Sequence, residues 1–173
     1  GNEDAPIRKK LEQSFLILNE TCEEVRSLSH QMMPRSLSES GMIPAMEDMF
    51  NKSFDQSIMD FHFEYFDMDE RHPENIEIGL YRIAQELTSN ILKHSKANKV
   101  NFQLFKNKNH LVLVAEDNGK GFNFDKENGK GHGLMNIATR VKSLNGDINY
   151  SSGESTGTVV TIRIPLPQSA LNS

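Results

Sequence analysis

The stretch Leu111-Val112-Leu113-Val114-Ala115-Glu116-Asp117-Asn118-Gly119-Lys120-Gly121-Phe122 decides how this chain is read. A short, continuous apolar run closed by polar residues is the pattern of a buried strand. A carboxylate at its end, followed by spaced glycines, stands where a backbone can approach a ligand closely. Such a carboxylate can accept a hydrogen bond from an exocyclic amino group like that of adenine. An ordinary glycine turn has the same composition, so the surroundings must decide.

Upstream, Val100 to Phe105 reads as a second strand, joined to the first by a turn at Lys106-Asn107-Lys108-Asn109. Before it, Ile76, Leu80, Ile83, Ala84, Leu87 and Ile91 recur at helical spacing and predict a long helix from about Pro73 to Ala97. Ile58 to Phe66 alternates as a half-buried strand does, and Arg71-His72-Pro73-Glu74 breaks it. Downstream, the glycine-rich segment from Asp117 to Gly133 is too long for a simple turn, and loops of that kind usually carry function. A helix then runs from about Leu134 to Leu144 and stops at Asn145-Gly146, with strands at Asp147–Ser151 and Thr158–Pro165. The order βαββαββ predicts an α+β sandwich of one mixed sheet and a helical layer over residues 58–173.

The start of the chain differs. Leu11, Phe15, Leu18, Cys22, Val25, Ser29 and Met32 form one narrow stripe of a long helix, with Asp4 as N-cap and Pro6 tolerated in the first turn. Pro34 kinks or precedes the end of that helix, and Ser38-Glu39-Ser40-Gly41 reads as a connection. A second helix opens near Pro44 and carries Met46, Met49, Phe50 and Phe54. Residues 1–57 are thus expected to form a helical hairpin, whose apolar seam gains most by pairing with a second copy into a four-helix bundle. Packing of the seam on the downstream domain satisfies the same periodicity.

Composition removes several classes of function. A single cysteine among 173 residues excludes an internal disulfide and a cysteine-based zinc site. The net charge of -5 comes from interspersed acids and bases, with no basic stripe to track a phosphate backbone, so no nucleic-acid partner is expected. The longest apolar run falls far short of the roughly 20 residues that cross a bilayer, and no membrane contact by this fragment is expected. The chain reads as a cytoplasmic portion of something larger, with a membrane anchor upstream left open.

Three further motifs carry chemistry. Glu86, Asn90 and His94 are spaced by four on the long helix, beside Lys93, and an amide and a carboxylate are the hard oxygen ligands that Mg²⁺ prefers. A solvated helix face has the same pattern. Gly129-Lys130-Gly131-His132-Gly133-Leu134 leads straight into a helix, where unpaired N–H groups cradle phosphate. Gly157-Thr158 opens the last strand.

In this order and on these elements, the motifs resemble the N box and the three glycine boxes of the GHKL or Bergerat ATPase superfamily. That superfamily is shared by histidine kinases, type II topoisomerases, mismatch-repair proteins and Hsp90 chaperones, and the resemblance spans about residues 58–167. It implies bound ATP and Mg²⁺, with Asn90 as metal ligand, Glu86 helping to position metal and water, and Lys93 and His94 near the phosphates. It further implies that Asp117 recognises the adenine amino group. Gly119 and Gly121 would permit that approach, Thr158 would support it through a water, and Gly129, Gly131 and Gly133 would form the phosphate-facing side of a short lid.

The segment Val25-Arg26-Ser27-Leu28-Ser29-His30-Gln31-Met32-Met33-Pro34 resembles the phospho-acceptor box of sensor histidine kinases. That resemblance implies a homodimer, autophosphorylation of His30, and transfer to an aspartate on a response-regulator receiver domain. On the stripe, His30 lies beside the seam rather than in it. Gln31 departs from the acidic residue many relatives place after the acceptor, and an amide cannot serve as a base. Pro34 and Arg35 replace polar residues that orient a hydrolytic water, which predicts weak phosphatase activity. Two other functions fit parts of the chain: a degenerate nucleotide-binding interaction module, and an anti-sigma-type serine kinase, a family that lacks the long hairpin.

Overall fold

A computed structural model describes residues 35–121, 132–153 and 156–167, all within the second of the chain's two units, Arg35–Ser173. The elements are α1 (Arg35–Ser40), α2 (Met42–Ser53), β1 (Asp60–Phe66), α3 (Glu74–Asn90) continued by a π-helical turn (Ile91–Ser95), β2 (Lys99–Asn107), β3 (His110–Asp117), α4 (His132–Ser143), β4 (Asp147–Ser152) and β5 (Thr158–Pro165). The strands form one sheet in the order β1-β2-β3-β5-β4. β1 and β2 pair in parallel through the α3 crossover, and every other pair is antiparallel, so the sheet is mixed as expected.

Alternation decides which face of the sheet is covered. Val100, Phe102 and Leu104 lie in register with Asp117, Ala115 and Leu113, and these in turn with Thr158, Val160 and Ile162. All nine are buried. The stripe read from the sequence on α3, Ile76 through Leu87 and on to Ile91, is buried throughout, as are Ile137 and Val141 of α4. α4 stops in a Schellman arrangement: Asn145 takes the left-handed conformation at φ 55°, and the Gly146 and Asn145 N–H groups donate to Val141 and Lys142 carbonyls. At the same end of the helical layer, where Leu144 lies against Gly79 of α3, the loop into α3 is held by Glu77, which is almost fully buried and accepts hydrogen bonds from the Arg71 guanidinium and the His72 backbone N–H.

One expectation changes. Ser38 to Ser40, read as a connection, belong to helix α1, and the break falls at Gly41, whose φ is 90°. The unit that holds the sheet starts at Arg35 and takes in α1 and α2. The reason is aromatic: Phe50 packs against Phe61, Phe63 and Phe102 of the sheet with ring centroids 5.2, 5.0 and 4.5 Å away, and Phe54 stacks on Phe61 at 4.5 Å. The apolar face of α2 was legible, but periodicity does not say which surface it meets. His30, Gln31, Gly129 and Gly131 lie outside the described residues.

Phe50→Ala removes the ring at the centre of this cluster. It is expected to cost about 3–5 kcal/mol of unfolding free energy, read from urea denaturation, as for other buried aromatic truncations. A change below about 1 kcal/mol would place α2 off the core.

Candidate functional site

A single row of register partners crosses the end of the sheet: Phe61, Val100, Asp117, Thr158 and Ser152. Because alternate residues share a face, Asp117 and Thr158 point toward the helical layer with the core residues, and both are buried, at 7% and 9% exposure. The Asp117 Oδ1 accepts the Gly119 N–H at 2.8 Å, which leaves Oδ2 with capacity for a donor from outside the protein. Burial pushes the Asp117 carboxyl above its ordinary range. The Gly119 N–H works against that shift and the neighbouring Glu116 adds to it. The Thr158 hydroxyl sits 3.2 Å from that of Ser152, which also donates to the Gly157 carbonyl at 3.1 Å.

The turn after Asp117 is pressed against the end of the long helix. The Lys120 N–H donates to the Ser95 carbonyl at 2.9 Å. A Cβ at position 119 would collide with that same carbonyl and stand 2.7 Å from Asp117 Oδ1, so only glycine fits there. Gly121 follows with φ 69°.

The third part of the site is the meeting of α3 with the start of α4. A Cβ at Gly133 would stand 2.6 Å from Glu86 Oε1 and 2.7 Å from Asn90 Oδ1, so the first turn of α4 lies directly on this polar pair. The Asn90 Nδ2 is buried without a hydrogen-bond partner among the described residues, a cost that a native site tolerates when a ligand completes it. The helix widens immediately afterwards. The expected α-helix to Ala97 ends at Asn90, and Ile91–Ser95 form a π turn closed by the Ser95 hydroxyl donating to the Ile91 carbonyl at 2.8 Å, with Lys96 left-handed at φ 58°. Such turns recur at functional sites. Lys93 and His94 are exposed on the widened turn.

The structure thus brings Glu86, Asn90 and Gly133 together, and separately Asp117, Gly119, Gly121 and Thr158. Ser95, Asn118 and Ser152 support these groups and were not singled out from the sequence. No signal in a lone sequence reports the hydrogen bonds that join Asn118 to Asn98 and Lys99, or the Ser95 carbonyl to Lys120. Among the described residues no three His, Cys, Asp or Glu side chains gather to hold a metal. A cation at Asn90 and Glu86 would therefore complete its shell with ligand oxygens and water, which suits Mg²⁺. The residues fit that ion.

A mixed sheet with a buried carboxylate at its end, roofed by a helix bearing an asparagine beneath a glycine, defines an ATPase domain. The histidine kinase-, DNA gyrase B-, and HSP90-like ATPase family matches residues 75–168, and the chain belongs to that family. It resembles the signal transduction histidine-protein kinase/phosphatase DegS of Brevibacillus brevis, at 32% identity over 83% of this chain and 37% of that protein. It also resembles the sensor protein VraS of Staphylococcus epidermidis, at 30% identity over 95% of this chain and 45% of that one. The chain spans less than half the length of these curated relatives. The solved histidine kinase AdeS of Acinetobacter baumannii shares the fold, with a TM-score of 0.60 at 18% identity over 97% of this chain and 88% of the other.

The raised pKa of Asp117 yields a test. The native carboxyl holds its proton more tightly than the unfolded chain does, so stability falls as pH rises from the ordinary value of 3.8 through the raised native value. At neutral pH the full cost is present. Asp117→Asn keeps the acceptor for Gly119 and removes the charge. Its urea midpoint is expected at or above that of the wild type at neutral pH, with the difference shrinking toward about pH 4. Calorimetry should meanwhile show ADP binding weakened at least about tenfold, the loss of one hydrogen bond to a charged group.

Proposed function

We propose that this chain is the catalytic core of a dimeric sensor histidine kinase, which transfers the γ-phosphoryl group of ATP to His30 and thence to an aspartate on a response-regulator receiver domain. The observation that carries this reading is the pairing of Asp117 with Thr158 at the sheet's end and of Glu86 with Asn90 against Gly133, with the turn after Asp117 tied to the end of α3 by the Lys120 to Ser95 hydrogen bond. Asp117 binds the adenine amino group through its free oxygen, and Thr158 supports the ring through a water. Gly133 and the first N–H groups of α4 meet the phosphates, with Gly129 and Gly131 on the same side of the lid and Lys93 and His94 nearby. Asn90, with Glu86 beside it, holds Mg²⁺, which neutralises phosphate charge when bound.

A ring nitrogen of neutral His30 donates its lone pair to the γ-phosphorus. The bond to the β–γ bridging oxygen breaks, ADP leaves, and the other ring nitrogen gives up its proton. Gln31 can orient the ring by accepting a hydrogen bond from that nitrogen but cannot take its proton, so the step is slow or relies on another carboxylate. The names of the relatives, a histidine-protein kinase/phosphatase and a sensor protein, favour this reading over a serine kinase or a degenerate docking module. We further propose that the stripe from Leu11 to Met32 supplies the dimer seam. With Phe50 and Phe54 packed on the sheet, α2 adds little to it. No helix among the described residues is long and apolar enough to cross a membrane. The likeness to a sensor protein supports placing the core on the cytoplasmic side of a longer sensor.

Incubation with γ-labelled ATP should give acid-labile label on the chain, lost in His30→Ala and reduced at least about a hundredfold in Asn90→Ala, the range for removing an electrostatic group from a phosphoryl-transfer site. Acid-stable label, or label that survives His30→Ala, would reject the proposal. Gln31→Glu should raise the labelling rate about tenfold or more, toward the lower end of general-base catalysis. An unchanged or slower rate would show that proton removal is not limiting.

A further inference from the structure

Asn118 follows Asp117 in the turn and is exposed, yet its side chain is fully engaged twenty residues upstream. Its Oδ1 accepts the backbone N–H groups of both Asn98 and Lys99, at 3.0 and 2.9 Å, and its Nδ2 donates to the Asn98 Oδ1 at 2.7 Å. Its own N–H donates to the Lys99 carbonyl at 3.1 Å. Position 118 therefore makes one more rung of the β2–β3 ladder, in which the side-chain amide stands in for the main-chain carbonyl. The substitution frees the backbone. The chain can leave the sheet at Asp117 and turn through Gly119 while the last rung stays closed.

We infer that Asn118 is a positioning residue for base recognition: by closing that rung it fixes the turn in which Gly119 orients the Asp117 carboxylate. The inference rests on the reading of Asp117 as the group that meets the adenine amino group. Without the Asn118 amide, the N–H groups of Asn98 and Lys99 turn to water, and the Gly119 N–H is no longer held over Oδ1. The Lys120 to Ser95 hydrogen bond and the closeness of Gly119 to the Ser95 carbonyl tie the same turn to the end of α3, so a shift at position 118 is felt on both sides of the Asp117 turn.

The test measures discrimination rather than affinity alone. ADP and inosine diphosphate are titrated calorimetrically into the full chain; the second carries a carbonyl oxygen where adenine has its amino group. The wild type should prefer ADP by at least about tenfold. Asn118→Ala should cut that preference at least about fivefold, whereas Asn118→Asp, which keeps an acceptor for both N–H groups and lets the Asn98 amide rotate to donate, should hold it within about twofold. A role confined to stability would lower the melting temperature of Asn118→Ala and leave the preference intact, and that result would overturn the inference. Equal loss in the Ala and Asp variants would overturn it as well. Asp117→Asn separates the two readings: if it abolishes the preference while Asn118→Ala does not, only the positioning role falls, and if it leaves the preference unchanged, the adenine assignment falls and takes the positioning role with it. Should Asn118→Ala fail to fold, Asn118→Ser, too short to reach both N–H groups, takes its place with the same expected loss.

Discussion

A carboxylate turned toward the apolar side of a sheet is the constraint around which this domain is arranged. Asp117 occupies a position that alternation assigns to the core, in register with Val100 on one side and Thr158 on the other. Ionised there, it costs stability, and the protein offsets only part of that with the Gly119 N–H. A solvent-facing register was one residue away and would have removed the cost. A one-residue shift, however, would have turned Leu111, Leu113 and Ala115 outward as well, because side chains alternate with a period of two. The core of the sheet thus holds the carboxylate in place, and a ligand that donates to it recovers what burial takes away.

The opposite end of the site shows the same economy of position. Gly133 can lie on Glu86 and Asn90 only because it has no side chain, and this contact sets how far α4 begins from α3. An added methyl group would push the first turn of α4 away from Glu86 and Asn90. The π turn after Asn90 has a related effect. It ends the strict helical spacing where the chain must bend toward β2, and it presents the Ser95 carbonyl to the turn after Asp117. The turn after Asp117 and the helix that carries Asn90 are thereby linked through a few residues of backbone.

These relations explain what could be read in advance. The order of elements, the mixed sheet and the stop of α4 follow from local pattern, since alternation, helical spacing and an Asn-Gly pair each carry their own physical cause. Asp117, Asn90 and Thr158 stood out because their residue types and order match a known set of boxes. What local pattern lacks is the identity of the opposing surface. The face of α2 reads the same whether it meets a sister helix or the aromatic residues of the sheet, and Phe50 meets the sheet. The π turn from Ile91 to Ser95 leaves no mark in periodicity either. Asn118 lay inside a motif already noted, but its partners are twenty residues upstream, and only folded geometry brings them together.

On the proposed reading, adenine recognition by Asp117 and metal binding by Asn90 do not by themselves separate a kinase from a module that only binds nucleotide. The distinction lies in the proton balance at the acceptor. A neutral imidazole attacks through a nitrogen that carries no proton, so no base is required for the bond to form. The proton on the other nitrogen must leave only after the ring has become cationic, when water can accept it. A glutamine beside the acceptor therefore removes an accelerating group without removing an essential one. On the proposed reading, Gln31 is what a slow kinase can tolerate, and a carboxylate in its place is expected to set a faster rate from the same nucleotide site.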